Sequence, residues 1–541
     1  MFYGVHMAEG YDVIVVGAGS AGCAIAARLT EDPSRKVLLL EAGGSDRTRI
    51  CRVPGMVSVI HTVPEVKKRF DWGYKTDPQA GIIDRTIPYT RGKVMGGSSS
   101  INGMVFIRGH RTNYDGWAAD GCPGWSYDDV LPHFKRLEDW EGDAGTLRGK
   151  GGPIQVSRPT GISPVSEAFQ SAVSGVTGAP ILDDYNGAQQ EGVGLFQLSA
   201  RKGVRYSSSE GYLYSQGGAA TRPNLTIKTG VMVERIVFEG DRATGVQVLE
   251  GGTSKTLSAA EIVVSGGAVG SPHLLMLSGV GPAAELRRHG IEVRADLPVG
   301  ENLHDHMFFP MTFLAPNAGH RGTPWHFFGG MFKEMITGGT WFGRSVFESV
   351  AFIRTAAAGA APNLQLHSLP WAYPESQDDS SVRPVVDLRP AFTLFATLIY
   401  PESRGALTLR SASPTDAPHI DPKFLASAAD RKVMTDGAEI CREIMKHASI
   451  RDQITGELSP GDKSVGDMLN DEVHKRAFTV YHPVGTCRMG SDDRAVVGPD
   501  LRVRGIRGLR VADASIMPSI TGGNTNAPSL MIGEACAALM R

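Results

Sequence analysis

The sequence predicts an α/β protein of the doubly wound type, spread over more than one domain. Three observations predict it. The chain opens as strand, glycine turn, helix and strand, the unit from which parallel nucleotide-binding sheets are built. Short β-branched strands recur far downstream, at Glu261–Val264 and Leu509–Ala512. The 541 residues exceed what one hydrophobic core usually organises.

Tyr11–Val16 (YDVIVV) reads as a buried strand, Ala21–Leu29 as a helix rich in small residues, and Val37–Leu40 as a second apolar strand. Thr226–Ile236 and Ala243–Leu249 read as a pair of strands. Ser529–Leu539 reads as the closing helix. Between Leu297 and Asp471 the pattern is less regular, mixing Gly/Pro turns with aromatic strands such as Ala391–Tyr400; this part is expected to cover the substrate. No repeat is visible, and low complexity is confined to the short run TAAAGAAP.

A net charge of −2, with 41% hydrophobic and 21% charged residues, is that of an ordinary globular protein with no nucleic-acid partner. No run reaches the ~18 apolar residues of a membrane span. The first ten residues lack a basic, apolar leader, and Met7 is a candidate start. Cys23, Cys51, Cys122, Cys441, Cys487 and Cys536 form no CxxC pair, so reduced thiols in the cytoplasm are expected.

The first chemical motif is Gly17-Ala18-Gly19-Ser20-Ala21-Gly22. Gly17 permits the tight turn, Gly19 lets a pyrophosphate approach the backbone, and Gly22 lets helix and strand pack closely. Glu41, 19 residues after Gly22, ends the second strand where it can accept hydrogen bonds from ribose hydroxyls. The motif marks a dinucleotide site without separating FAD from NAD. The second motif, Arg91-Gly92-Lys93-Val94-Met95-Gly96-Gly97-Ser98-Ser99-Ser100-Ile101-Asn102-Gly103, combines backbone freedom with small donors and suits a loop against a flat polar ring; apolar Met104, Val105 and Phe106 bury it. The third, Gly267-Ala268-Val269-Gly270-Ser271-Pro272, leads into a helix stopped at Ser278-Gly279.

Taken with Tyr481-His482-Pro483-Val484-Gly485-Thr486-Cys487-Arg488-Met489-Gly490 and Val511-Ala512-Asp513-Ala514-Ser515-Ile516-Met517-Pro518, these blocks resemble the glucose–methanol–choline family of FAD-dependent oxidoreductases. The likeness spans nearly the whole chain and points to the bacterial choline- and alcohol-dehydrogenase-like branch. The resemblance implies an FAD domain from 1–155, 224–297 and 471–541, and an α+β substrate domain on an antiparallel sheet from 156–223 and 298–470. It implies that Gly17, Gly19, Ser20, Ala21, Gly22, Glu41 and Ala42 hold the nucleotide. Arg91, Gly92, Met95, Gly96, Ser99, Asn102, Gly103, Met104 and Val105 would embrace the flavin. Val233 would meet the adenine, Asp513 and Ala514 the pyrophosphate and ribityl chain, and Asn524 and Thr525 would also touch the cofactor. Ile101 stands where some members carry a flavin-linked histidine, so FAD is expected to be held without a covalent bond.

The resemblance also implies the chemistry: oxidation of a primary or aromatic alcohol to an aldehyde or ketone, with hydride passing to flavin N5. His482 is the expected base, since a neutral imidazole can take the hydroxyl proton near pH 7. The motif count puts its partner at Asn524, with Asn526 two residues on as the alternative. Oxygen or another acceptor would complete the cycle; Val480 resembles a position that shapes oxygen access but does not separate oxidase from dehydrogenase. Hydroxynitrile lyases and a fatty-acid photodecarboxylase share the scaffold, and a binding protein that keeps the fold is a third reading. No metal site is expected: His304 and His306 lie two apart with no third ligand. Trp325, Phe327, Phe328, Trp341, Trp371 and Phe392 are expected in the core rather than on a pocket wall. His273, where relatives often carry Gln, is expected to lie away from the chemistry.

Overall fold

The computed structural model describes residues 10–541 apart from 216, 319, 345 and 374–388, so Met7 lies outside the described residues. Tyr11–Val16 sits at the centre of a parallel sheet, flanked by Val37–Glu41 on one side and Thr253–Val264 on the other. Leu225–Thr229 and Leu509–Val511 extend the two edges, also in parallel. The side chains of Ile14, Val15, Leu38, Leu39, Val263 and Val264 are fully buried, as both faces of a doubly wound sheet require. Helix Ser20–Leu29 packs against the closing helix Asn526–Leu539, and a Cβ on Gly533 would stand 2.6 Å from the Ala21 carbonyl oxygen. That approach is why the first helix is built from small residues.

Two expectations need correction. Thr226–Ile236 is not one strand. Gly230 (φ 69°) turns the chain, so that Leu225–Thr229 joins the parallel sheet while Val231–Glu239 pairs antiparallel with Arg242–Glu250. The middle of the chain is also far more regular than its sequence suggests. Met307–Leu314, Ala391–Leu398, Leu364–Leu369, Ser349–Ile353 and Gly192–Leu195 lie side by side in an eight-stranded sheet, these five joined antiparallel, with Ile181–Leu182 added in parallel. Its central strands are buried along their whole length, so no apolar–polar alternation announces them. Phe478–Thr479, placed with the FAD domain by the sequence division, pairs with Met307–Leu314 in this second sheet.

Candidate active site

A cavity of about 1010 Å³ opens at the carboxyl ends of the parallel strands and reaches the second sheet. Three helices begin on its wall, at Gly19-Ser20, Gly266-Gly267 and Thr525-Asn526. Their positive dipole ends lie on the wall of the same cavity and suit an anion such as a pyrophosphate. The glycine turn has the shape the sequence implied. A Cβ on Gly22 would stand 1.9 Å from the Gly17 carbonyl oxygen, whereas one on Gly19 would meet nothing nearer than 4.0 Å. Gly22 is thus closed by packing and Gly19 is open to the cavity.

Glu41 accepts from the backbone N–H of Ala18 (3.0 Å) and of Gly43 (2.8 Å). Burial raises its carboxyl to about 7 against those hydrogen bonds. Asp513 accepts from the Gly267 N–H and the Ser271 hydroxyl, tying the third motif to the C-terminal block. Burial raises its pKa too. Ala42, Val233, Ala514 and Thr525 also lie on the wall. So does His273, beside Leu274.

Arg91, Gly92, Asn102, Gly103 and Val105 line the cavity, whereas Met95, Gly96, Ser99 and Met104 do not. These four shape the loop from behind: Met95 N–H donates to the Gly44 carbonyl, Gly96 N–H donates to the Ala18 carbonyl, Ser99 Oγ donates to the Gly96 carbonyl, and Met104 takes a left-handed φ of 63°. Two buried groups clamp the same loop and carry no local sequence signal. The Arg205 guanidinium donates to the carbonyls of Ser99 and Asn102, and Asp46 accepts from the hydroxyls of Ser100 and Ser207.

His482 and Asn524 meet on the cavity wall, with Asn524 Nδ2 3.0 Å from His482 Nε2. Asn526 is engaged elsewhere, accepting from the Ser20 hydroxyl at 2.7 Å. The turn that presents His482 is held by its backbone: Tyr481 sits at φ 63°, and the N–H of His482 donates to Asp305 at 2.7 Å. The other Asp305 oxygen accepts from the Thr479 hydroxyl at 2.6 Å.

The segment His304–His306 holds no metal cluster; among the described residues no group of metal-binding side chains occurs. It orients the site instead. His304 accepts from the Ile520 N–H at 3.0 Å, fixing the loop that leads to Asn524. His306 Nε2 lies 2.9 Å from the Ile399 carbonyl, so it carries the proton and leaves Nδ1 as an acceptor. His482 Nδ1, 3.1 Å away, must then be the donor. His482 Nε2 is left as the acceptor of the ring, and its lone pair takes the hydrogen bond from Asn524 Nδ2 on the cavity wall. Burial holds His306 down at about 3, and burial followed by His306, Arg91 and His367 holds His482 well below its ordinary 6.5. Both rings are neutral at pH 7. His306→Leu removes the acceptor that fixes this tautomer and is expected to lower kcat by roughly tenfold, a fraction of what a general base contributes. Steady-state rates, with the flavin spectrum as a check on folding, measure it.

The far wall is aromatic: Phe196, Phe308, Phe347 and Phe395 line it, and His367 stacks on Phe395 with centroids 4.6 Å apart. Gln365, buried on the same strand as His367, has no hydrogen-bond partner for its amide among the described residues. The described carboxylates on the cavity wall are Glu41, Asp416 and Asp513, and both Glu41 and Asp513 are committed to the glycine turns. Phe327, Phe328 and Trp371 line the cavity, contrary to the expectation of core; Phe392 is core, Trp341 is partly exposed, and Trp325 is exposed.

The sequence models of GMC oxidoreductase match residues 11–308 and 401–533. The chain belongs to the GMC oxidoreductase family. It is 38% identical to an alcohol dehydrogenase (acceptor) of Pseudomonas putida, over 98% of this chain and 95% of that one. An oxygen-dependent choline dehydrogenase of Photobacterium profundum is also 38% identical, over 97% and 92%. The crystal structure of pyridoxine 4-oxidase from Mesorbium loti superposes with a TM-score of 0.87 at 30% identity, covering 98% and 99%.

This GMC oxidoreductase is an FAD-dependent enzyme. Its residues fit that cofactor: the open Gly19, the three helix starts and Glu41 suit the nucleotide half, and the Arg91–Val105 loop faces the space in front of His482.

Proposed function

We propose that this enzyme oxidises an apolar or aromatic primary alcohol to the aldehyde, with His482 as the base. The observation that carries the reading is His482 Nε2, the acceptor nitrogen of the ring, which takes a hydrogen bond from the Asn524 amide at 3.0 Å on the wall of an aromatic cavity, a bond that a substrate hydroxyl would replace. The substrate hydroxyl donates to His482 Nε2, and the Asn524 N–H donates to the same oxygen. As the hydroxyl proton moves to Nε2, negative charge grows on that oxygen and the amide hydrogen bond strengthens. Bound FAD supplies the acceptor for the hydride that leaves the carbinol carbon. Oxygen or another acceptor completes the cycle. Among the described residues the aromatic wall carries no carboxylate to pair with a quaternary ammonium.

The test is aldehyde formation from benzyl alcohol, straight-chain primary alcohols and choline. Turnover of the first two classes with little of choline is expected; turnover of choline alone sinks the substrate assignment, and cleavage of a cyanohydrin without oxidation would favour a lyase.

Two further outcomes follow from the same geometry. His482 must be neutral to act, and its pKa is lowered, so protonation begins only at acid pH. The plateau of kcat/KM is expected to continue from pH 8 down past 6.5, with the loss appearing below that. A midpoint above 7 would contradict it. Ile101, on the cavity wall, has no group to bond a flavin. In this reading FAD is non-covalent, and acid precipitation is expected to leave the yellow colour in the supernatant. The six buried, unpaired cysteines suit a reducing cytoplasm.

A further inference from the structure

The helix Pro324–Ile336 is mostly apolar, yet it lies on the surface. Its inward residues Phe327 and Met331 line the cavity. Its outward residues are Trp325 (86% exposed), Phe328 (59%), Phe332 (68%) and Ile336 (66%). At ~100° per residue these four fall within an arc of about 80°, one continuous apolar stripe facing solvent. Large hydrophobic side chains this exposed are scarce elsewhere in the described chain, and here four share one helix face. Phe328 is both exposed and on the cavity wall, so the stripe sits on the rim of the active-site opening.

Among the described residues the exposed full charges of this stretch have one sign. Lys333 and Arg344 are exposed and form no ion pair among the described residues, and His320 and His326 are exposed beside them. The acid of this helix, Glu334, is turned inward, where it accepts from the backbone and hydroxyl of Thr340. A second stretch of rim repeats the pattern: Val63 is exposed on the cavity wall, and the helix Pro64–Phe70 behind it carries exposed Lys68 and Arg69 against the single acid Glu65. At 13 residues the helix Pro324–Ile336 is ~20 Å long, too short to span a bilayer but suited to lying in its interface.

We propose that Pro324–Ile336 is an interfacial anchor that seats the mouth of the cavity on an anionic lipid surface. Trp325, Phe328, Phe332 and Ile336 enter the acyl boundary, while Lys333 and Arg344 meet the lipid phosphates. Seated this way, the opening faces the phase in which long-chain and aromatic alcohols concentrate. The docking stands independently of the reaction assigned to the site.

The experiment is vesicle flotation of the FAD-loaded full chain. It uses phosphatidylcholine alone and phosphatidylcholine mixed with phosphatidylglycerol. The wild type is expected to float with the mixed vesicles, and less as salt rises. Trp325→Ser combined with Phe332→Ser is expected to remain at the bottom, with its flavin spectrum and its turnover of a water-soluble alcohol unchanged. Lys333→Glu with Arg344→Glu is expected to lose the preference for phosphatidylglycerol. The proposal is overturned if the wild type floats with neither vesicle, or if the Trp325/Phe332 variant floats as well as the wild type. It is also overturned if those two substitutions convert a wild-type dimer into a monomer, which would identify the occupant as a second copy of the chain.

Discussion

His482→Ala is expected to lower kcat by ~10³-fold while FAD stays bound, because a positioned base supplies about 10²–10⁴ of an enzyme's rate. The ring is held at three points: its N–H backbone by Asp305, its Nδ1 by His306 and its Nε2 by Asn524. Removing the ring therefore deletes the proton acceptor without opening the glycine turn that holds the nucleotide. Asn524→Ala is expected to cost less, roughly 10-fold to 10²-fold, since it removes one hydrogen bond to the developing charge and leaves the base in place. A His482→Ala enzyme with near-normal kcat would move the base elsewhere.

Gly22→Val is expected to weaken FAD retention sharply. The new Cβ would stand 1.9 Å from the Gly17 carbonyl oxygen and 3.4 Å from Ser265 Cβ. The first of these is backbone in the turn itself, so the turn must open to accept it. Overpacking of this kind costs about 3 kcal/mol, which converts to roughly 10²-fold in cofactor affinity at 1.4 kcal/mol per decade. Gly116→Ala is the matched control: in the helix Arg111–Ala119, with nothing within 4 Å of its Cβ, it is expected to leave both Tm and flavin content unchanged or slightly raised. Flavin-to-protein absorbance ratio after gel filtration measures both variants.

What the sequence revealed and what it hid have physical causes. The nucleotide half was legible because each requirement falls on one residue type at a fixed spacing: a Gly that must lack a Cβ, a strand that must be β-branched, an acid at the strand end. The choice between Asn524 and Asn526 was open in the sequence, and it turns in space on which side chain reaches His482 and which reaches Ser20. The second sheet was hidden because strands buried on both faces, such as Ala391–Leu398, carry no alternation. The strand break at Gly230 was hidden because a lone glycine inside a β-branched run does not announce a turn. His306 was weighed only as a metal ligand, since its partner His482 lies 176 residues away and no local pattern joins them. Arg205 and Asp46 are silent for the same reason. The aromatic helix was expected in the core because Trp and Phe usually are; only the structure shows which face it turns outward.

The most direct test of the central claim is anaerobic mixing of the enzyme with benzyl alcohol while the visible flavin band is followed, in the wild type and in His482→Ala. The band is expected to bleach rapidly in the wild type and ~10³-fold more slowly in the variant, with dithionite bleaching both at once. Equal rates in the two proteins, or a wild-type band that dithionite bleaches and no alcohol does, would contradict a His482-based alcohol oxidation.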